Sequence, residues 1–444
     1  MTLSWFSIPL DRLKKIIWIS VPIIGGMLSQ NILGLIDTFM VGYIGDYALA
    51  AVGVGSVLYF FSTSFITGIV ESIQVYVARF FGENNRLQCL NPLILGVGMN
   101  LIIATTCTVM LWLLCPLIFK LVNPDPIINQ LGVHYFRCLI LSLPLFSFNL
   151  SIRSYWNGVN KPGRYLMILI PTHLCNIFFN WVFIFGHLGS PELGVTGAGL
   201  ATSLAMLLGS CIYLVSCYVW IPDFVQIKKY LNLSLVPDMV KLAIPSSVRQ
   251  FFFCIGVLIL YWIIGFLGAQ SVAIANVLIN IALIVILPGV GFGLTSMSLV
   301  SQALGRKDKD DANQWGWDVV KVASFVTLVI GGISFFLPEV ILGVFIQNPE
   351  TLKMAIAPFR LDCLTIWIEV IGLVLLSSLV GIGRSASVLR VTLACQYLLF
   401  VPLGYYLGAI LKKDLVWIFG AWTLYQSAVT LSFLIMWFRA KYKS

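Results

Sequence analysis

Two carboxylates stand where a chain can least easily hold them. Asp37 sits within an apolar stretch from Pro22 through Gly42, and Glu369 lies in Thr365-Ile366-Trp367-Ile368-Glu369-Val370, far from either end of its apolar run. An acid at mid-bilayer costs about 3 kcal/mol even on a lenient scale, so such groups are normally paired or functional. The chemistry available to them is binding of cations or protons. Asp37 has candidate partners in Asn176-Ile177-Phe178-Phe179-Asn180, whose two amides are four residues apart and share one helix face, and in Thr202. One carboxylate, two amides and a hydroxyl form an oxygen-rich pocket suited to a hard cation such as Na+, or to a proton-linked network. The same groups can instead do no more than tie helices together. Spacing leaves both readings open. Glu369 is likewise either a proton carrier or a structural acid hydrogen-bonded to a neighbouring helix.

Other polar residues point to less. Glu71 is about two turns before Arg79 and reads as structural. Arg249, four residues after Pro245, either pairs with an acid or snorkels to the surface, and the second reading is preferred. The ten cysteines are scattered without a CxxC pair and read as small core residues. His134, His173 and His187 form no HxxxH or HExxH pattern, so no metal site is expected beyond Na+ at Asp37. Paired catalytic residues are missing from this inventory, which argues against an enzyme.

The elements that must hold these groups are membrane helices. The chain is 59% hydrophobic and 10% charged, where a soluble protein carries about a quarter of its residues as charges. Hydropathy breaks at Gly, Pro and charged residues predict an all-α polytopic protein with twelve spans, roughly 16–40, 47–79, 90–118, 131–156, 163–187, 195–220, 242–267, 272–303, 318–346, 354–382, 388–410 and 415–438. Met1 to Lys15 lacks the pattern of a cleavable signal, and with Asp11, Arg12, Lys14 and Lys15 reads as a short interfacial helix.

The net charge of +9 does not indicate nucleic acid, because the basic residues occupy short loops and span ends. Loops after even-numbered spans hold Arg79, Arg86, Arg153, Lys161, Arg164, Lys228, Lys229, Lys241, Arg306, Lys307, Lys309, Lys321, Arg384 and Arg390. With Arg12, Lys14, Lys15, Arg439, Lys441 and Lys443, that places 20 of the 27 basic residues on one side. The bias puts both termini in the cytoplasm.

An internal repeat organises the spans. A shift of 223 residues superposes Pro22 on Pro245, Gly42 on Gly265, Gly45 on Gly268, Gly68 on Gly291, Gly82 on Gly305, Phe136-Arg137 on Phe359-Arg360 and Gly158 on Gly381. Asn123-Pro124 matches Asn348-Pro349 at a shift of 225, which implies compensating indels. Six spans per copy is even, so the copies share one orientation: a parallel repeat of two pseudo-symmetric six-helix bundles. The expected domains are 1–217 and 242–444, joined by a cytoplasmic linker at 218–241. Leu260 stands opposite Asp37 and Phe146 opposite Glu369, so each lobe has one acid the other lacks. Pro22, Pro144, Pro245, Pro288 and Pro402 mark bends, as hinges or as static kinks. Two rocking lobes around a central site are the physical basis of alternating access. A channel would need a continuous polar ring, which the spans do not offer. A flippase for lipid-linked precursors is the alternative, although it would be expected to show more spans and a strongly cationic cavity, and intramembrane bases are few here.

Pro22, Asp37-Thr38, Val41-Gly42 and Leu49-Ala50-Ala51-Val52, with Gly194-Val195-Thr196-Gly197-Ala198 leading into Ala201-Thr202, resemble the multidrug and toxic compound extrusion (MATE) family, in its bacterial NorM/DinF-like form. The resemblance covers essentially the whole chain. It implies a secondary active exporter of drug-like, often cationic organic compounds, antiporting H+ or Na+, without other cofactor. It also implies a multi-pass protein of the cytoplasmic (inner) membrane, and a monomer is expected. In the family, the acid at Asp37 couples to the ion, with Asn176, Asn180 and Thr202 as its polar neighbours. The tenth-span acid of NorM-type members falls on Glu369, while their seventh-span Glu is replaced here by Phe253. Archaeal-type members carry Asp where Asn180 stands. The resemblance thus assigns coupling to Asp37, Asn176, Asn180, Thr202 and Glu369, and substrate contact to Asp37, Asn176 and Asn180.

Overall fold

In the computed structural model, residues 8–221, 224 and 231–440 are described. The basic residues Lys228, Lys229, Lys441 and Lys443 and most of 222–230 in the expected linker lie outside them. The described residues form helices and no strand. In chain order these are α1 (Leu10–Gly42), α2 (Asp46–Gly82), α3 (Leu90–Val122), α4 (Pro126–Ile140), α5 (Ser142–Gly158), α6 (Gly163–Phe185), α7 (Gly194–Trp220), α8 (Val236–Gly265), α9 (Ala269–Gly305), α10 (Lys309–Phe336), the short α11 (Pro338–Gly343), α12 (Pro349–Gly381), α13 (Ser385–Ala394), α14 (Val401–Tyr405) and α15 (Leu415–Phe438). Eleven helical stretches among the described residues are long and apolar enough to cross a membrane, and α4 with α5, bent by 41°, makes a twelfth. The protein is a multi-pass membrane protein.

The repeat is visible in the helix ends. A shift of 223 carries Asp46–Gly82 onto Ala269–Gly305, and Pro126–Gly158 onto Pro349–Gly381. It also aligns the caps: Asp125 accepts the Ile127 N–H at 2.8 Å, and Asn348 accepts the Glu350 N–H at 2.9 Å, each just before a proline. The structural partner of Asn348-Pro349 is therefore Asp125-Pro126. The match at a shift of 225 is corrected, because a capping side chain and a proline at the first helical position are what this helix start requires.

The copies differ where their prolines differ. Pro144 has no N–H to give the carbonyl of Ile140, so the first-copy span breaks at Leu141. The freed carbonyl takes the Thr108 hydroxyl of α3 at 3.2 Å, and the neighbouring Cys138 carbonyl takes the Ser203 hydroxyl of α7 at 2.6 Å. Trp367 occupies the corresponding place in α12, which runs unbroken. Pro402 acts similarly in the second copy, where π-helical turns at Cys395–Phe400 and Tyr406–Ile410 flank α14.

The described residues fall into two compact units: Gly25–Val248, and those described within Met1–Ile24 and Arg249–Ser444. Helices α1 and α8 each contribute to both, and the changeover falls within three residues of Pro22 and Pro245. In the first unit α8 closes on α2 at Gly68, where a Cβ would overlap the Ala243 carbonyl, and Ser247 Oγ donates to the Phe65 carbonyl at 3.1 Å. In the second unit α1 does not begin with a separate interfacial helix: Asp11 to Lys15 form its first turns. Arg12 there donates to Asp311 and to the buried Asp318 of α10, both at 2.6 Å, and stacks 3.6 Å over Trp315. Apolar surface on the outer helices is left exposed; on α3, Ile102, Val109, Leu113, Leu117 and Leu121 form one such stripe, suited to lipid.

Candidate functional site

Small residues bring the first-unit site together. On α7, a Cβ at Gly197 would overlap the Phe183 carbonyl of α6, and one at Gly199 would sit 2.5 Å from the Tyr135 carbonyl of α4. Only glycines admit both helices so closely, and the contact fixes Thr202 one turn further on. On α1, a Cβ added at Gly25 would sit 3.7 Å from Leu166, and one at Gly26 would sit 3.4 Å from both Leu169 and Tyr165 of α6. Ser29, Leu33 and Asp37 follow at four-residue steps, so the same face of α1 is presented to α6 for several turns.

The four first-lobe residues meet as a directed relay. Thr202 Oγ1 donates to the Ala198 carbonyl at 3.1 Å and accepts from Asn176 Nδ2 at 3.3 Å. Asn176 Oδ1 accepts from Asn180 Nδ2 at 3.0 Å, and Asn180 Nδ2 donates to Asp37 Oδ1 at 2.6 Å. A carboxylate can only accept, so it turns the Asn180 amide with its NH2 forward and its carbonyl away. Asn176 and Asn180 are buried and Asp37 is half-buried. Asn180 Oδ1 is buried without a hydrogen-bond partner among the described residues. An orphaned amide oxygen beside a carboxylate fits a hard cation or a proton-carrying partner. No group of three or more His, Cys, Asp or Glu side chains able to hold a metal occurs among the described residues.

Glu369 belongs to the other unit and has its own partners. Gln426 Nε2 of α15 donates to Glu369 Oε1 at 2.6 Å. The α12–α15 seam around it is polar and tight: Thr365 and Thr423 hydroxyls are 3.3 Å apart, and Thr430 Oγ1 donates to the Ile368 carbonyl at 3.0 Å. Phe253, half-buried on α8, offers no charge, but the carbonyl beside it, at Phe252, accepts from Gln396 Nε2 at 2.8 Å and Tyr397 at 3.1 Å. Arg249 lies half-buried on α8. Glu71 lies half-buried on α2.

Two polar groups escaped the sequence reading. Asp362 lies half-buried on α12, seven residues before Glu369. Its signal is the seven-residue spacing, two turns on one face. His173 lies three residues before Asn176 and contacts Ser29 across the α1–α6 seam at 2.6 Å. A search for metal-ligand motifs passes over a histidine whose partner is a serine far away in sequence.

Comparison with known proteins places these features. Residues 22–182 and 245–406 match the MatE family. The chain is 24% identical to the probable multidrug resistance protein NorM of Mannheimia succiniciproducens, over 96% of this chain and 93% of that one. It is 26% identical to that of Shewanella oneidensis, over 97% and 94%. Among solved structures, an outward-facing multidrug resistance MATE family transporter of the MOP superfamily superposes with a TM-score of 0.87 at 19% identity, over 96% of this chain and 95% of that chain. A MOP superfamily transporter from Pyrococcus furiosus, described by the reverse polarity of its binding pocket, gives 0.86 at 19% identity with the same coverage. A twice-matched MatE family region, one per repeat and one containing Asp37, the other Glu369, shows that this chain belongs to the MatE family of NorM-like multidrug and toxic compound extrusion proteins.

Proposed function

We propose that this protein is a secondary active exporter of organic, often cationic compounds, exchanging them for H+ or Na+ by alternating access. It does so in the cytoplasmic membrane with both termini inside. The observation that carries the reading is the relay ending at Asp37: a half-buried carboxylate held by one amide donor, next to an orphaned amide oxygen. Its NorM relatives, named as multidrug resistance proteins, support the substrate class.

The mechanism follows from charge. With Asp37 ionised, the site attracts an organic cation. An H+ or Na+ arriving from outside neutralises the carboxylate, removes the attraction and favours release outward. The neutralised carrier returns and discharges its ion inside. Coupling comes from the difference in affinity between the two states, because an ion that bound both equally would shift nothing. Asn176, Asn180 and Thr202 hold the carboxylate in place, and Asp37 is the group that takes the H+ or Na+. Glu369, held by Gln426, is the corresponding acid of the second unit.

Ethidium efflux from vesicles under separately imposed H+ and Na+ gradients tests this. Wild type is expected to respond to one of the two, and Asp37→Asn to fall to background while remaining folded in the membrane. Glu369→Gln measures the part of the second acid. Normal efflux by Asp37→Asn would sink the proposal.

A further inference from the structure

The α1–α6 seam carries a second ionisable group that the exchange cycle above does not use. From its inner end, the seam runs through the Gly25–Gly26 contact, then Ser29–His173, then Asp37–Asn180. His173, Asn176 and Asn180 recur at three and four residues, so they line one face of α6. His173 is 6% exposed; Ser29 Oγ is 2.6 Å from Nδ1, and Nε2 is buried with no hydrogen-bond partner among the described residues. Two tautomers fit. If Nδ1 donates to Ser29, Nε2 is a bare lone pair. If Ser29 donates to Nδ1, Nε2 carries an unsatisfied N–H. In both, the packed seam holds a neutral imidazole, because a proton added there would make a buried cation whose Nε2–H has nothing to donate to.

The surroundings offer no counter-charge. On the α1 face the ionisable group is Asp37, two turns away and already engaged by Asn180. Helix α7, packed along α6, has no acidic or basic residue; its cysteines are Cys211 and Cys217, and of its tyrosines Tyr213 donates to the Tyr165 carbonyl while Tyr218 is exposed. Helix α5 contributes Arg153, over the Tyr165 ring near the start of α6, and α6 itself adds Arg164, bonded to the Trp220 carbonyl, and Cys175.

We propose that His173 is a second proton-binding residue of the exporter, taking a proton on Nε2 as α1 parts from α6 around Ser29 and returning it when the seam closes. A hydronium ion in the entering water gives up the proton: its O–H bond breaks, an N–H bond forms on the Nε2 lone pair and water is left, while Nδ1–H remains free to donate to Ser29 Oγ or to water. Since α1 carries Ser29 and Asp37 on one face, neutralising Asp37 and charging His173 both loosen the same helix from α6. The role of His173 in coupling rests on the export reading above, but its protonation with seam opening is measurable without transport.

Spin labels at Leu35 of α1 and Leu174 of α6, both exposed, report the seam in the full-length protein in nanodiscs. The distance is expected to lengthen as pH falls through about 6 in wild type, and to stop responding there in His173→Gln, which cannot take the proton. An identical pH response in His173→Gln overturns the proposal. Should that variant not fold, His134→Gln/His187→Gln leaves His173 as the sole imidazole for 15N NMR. A resonance that titrates together with the label distance supports the proposal, and one silent between about pH 5 and 9 overturns it. Asp37→Asn exporting ethidium normally would instead remove the export reading and leave the seam result standing.

Discussion

At the scale of single residues, the first-unit site depends on one amide doing two jobs. Asn180 Nδ2 serves both Asp37 and Asn176, so its removal strands two buried or half-buried oxygens at once. Asn180→Leu is expected to lose export and to lower stability by about 1–3 kcal/mol, as a stranded buried acceptor does. Thr38→Ala is the control, since Thr38 Oγ1 is exposed and donates only to the Gly34 carbonyl in its own helix. Thermal unfolding in detergent beside vesicle efflux checks both; equal losses in the two variants would contradict the relay. Asp37 and the Asn176/Asn180 pair were legible in the sequence because a polar group in an apolar span is conspicuous. Asp362 and His173 were not, for different reasons. Asp362 sits in a span already credited with an acid, and the meaning of His173 lies in Ser29, distant in the chain.

At the scale of helices, side-chain size decides which ones touch. Within a bilayer, apolar surface gains little by leaving lipid for protein, so close helix packing relies on small residues and hydrogen bonds. Gly197→Ala should therefore push α7 from α6, draw Thr202 away from Asn176 and cost about 1–3 kcal/mol by overpacking. Gly98→Ala is the opposite case: Gly98 is exposed on α3 and a Cβ there meets nothing within 4 Å, so helix propensity favours it by up to about 1 kcal/mol. A lower unfolding temperature for the first and an equal or higher one for the second is the expected pattern. The number of spans followed from hydropathy, but the ninth runs Lys309–Phe336 rather than 318–346, because Pro338 starts a separate short helix, and the break at Leu141 needed its third-residue proline together with Thr108 and Ser203 to cover the freed carbonyls. Proline marks where a helix bond is missing, but whether the helix bends there depends on what neighbours supply.

At the scale of the whole molecule, compact units and chain order part company. The first turns of α1 are held in the second-copy unit by Arg12, whose side chain is 15% exposed and bonds Asp311 and Asp318. Arg12→Ala should cost between the ~1 kcal/mol of an exposed pair and the ~3–5 kcal/mol of a fully buried one. Arg12→Ala/Asp318→Ala should lose less than the two single variants together, because either change already removes their mutual bond. Simple additivity of the unfolding free energies would contradict the ion pair. By itself the sequence determined the membrane class, the number of spans, the repeat and that Asp37 and Glu369 must be accounted for, since each depends on local composition and spacing along one chain. The tertiary structure alone decided that Asn180 turns its amide to Asp37, that Ser29 meets His173, that Gln426 holds Glu369, and that α1 and α8 each serve two units. Those depend on which helix faces meet. Helical periodicity says that a face exists, but only packing selects its partner.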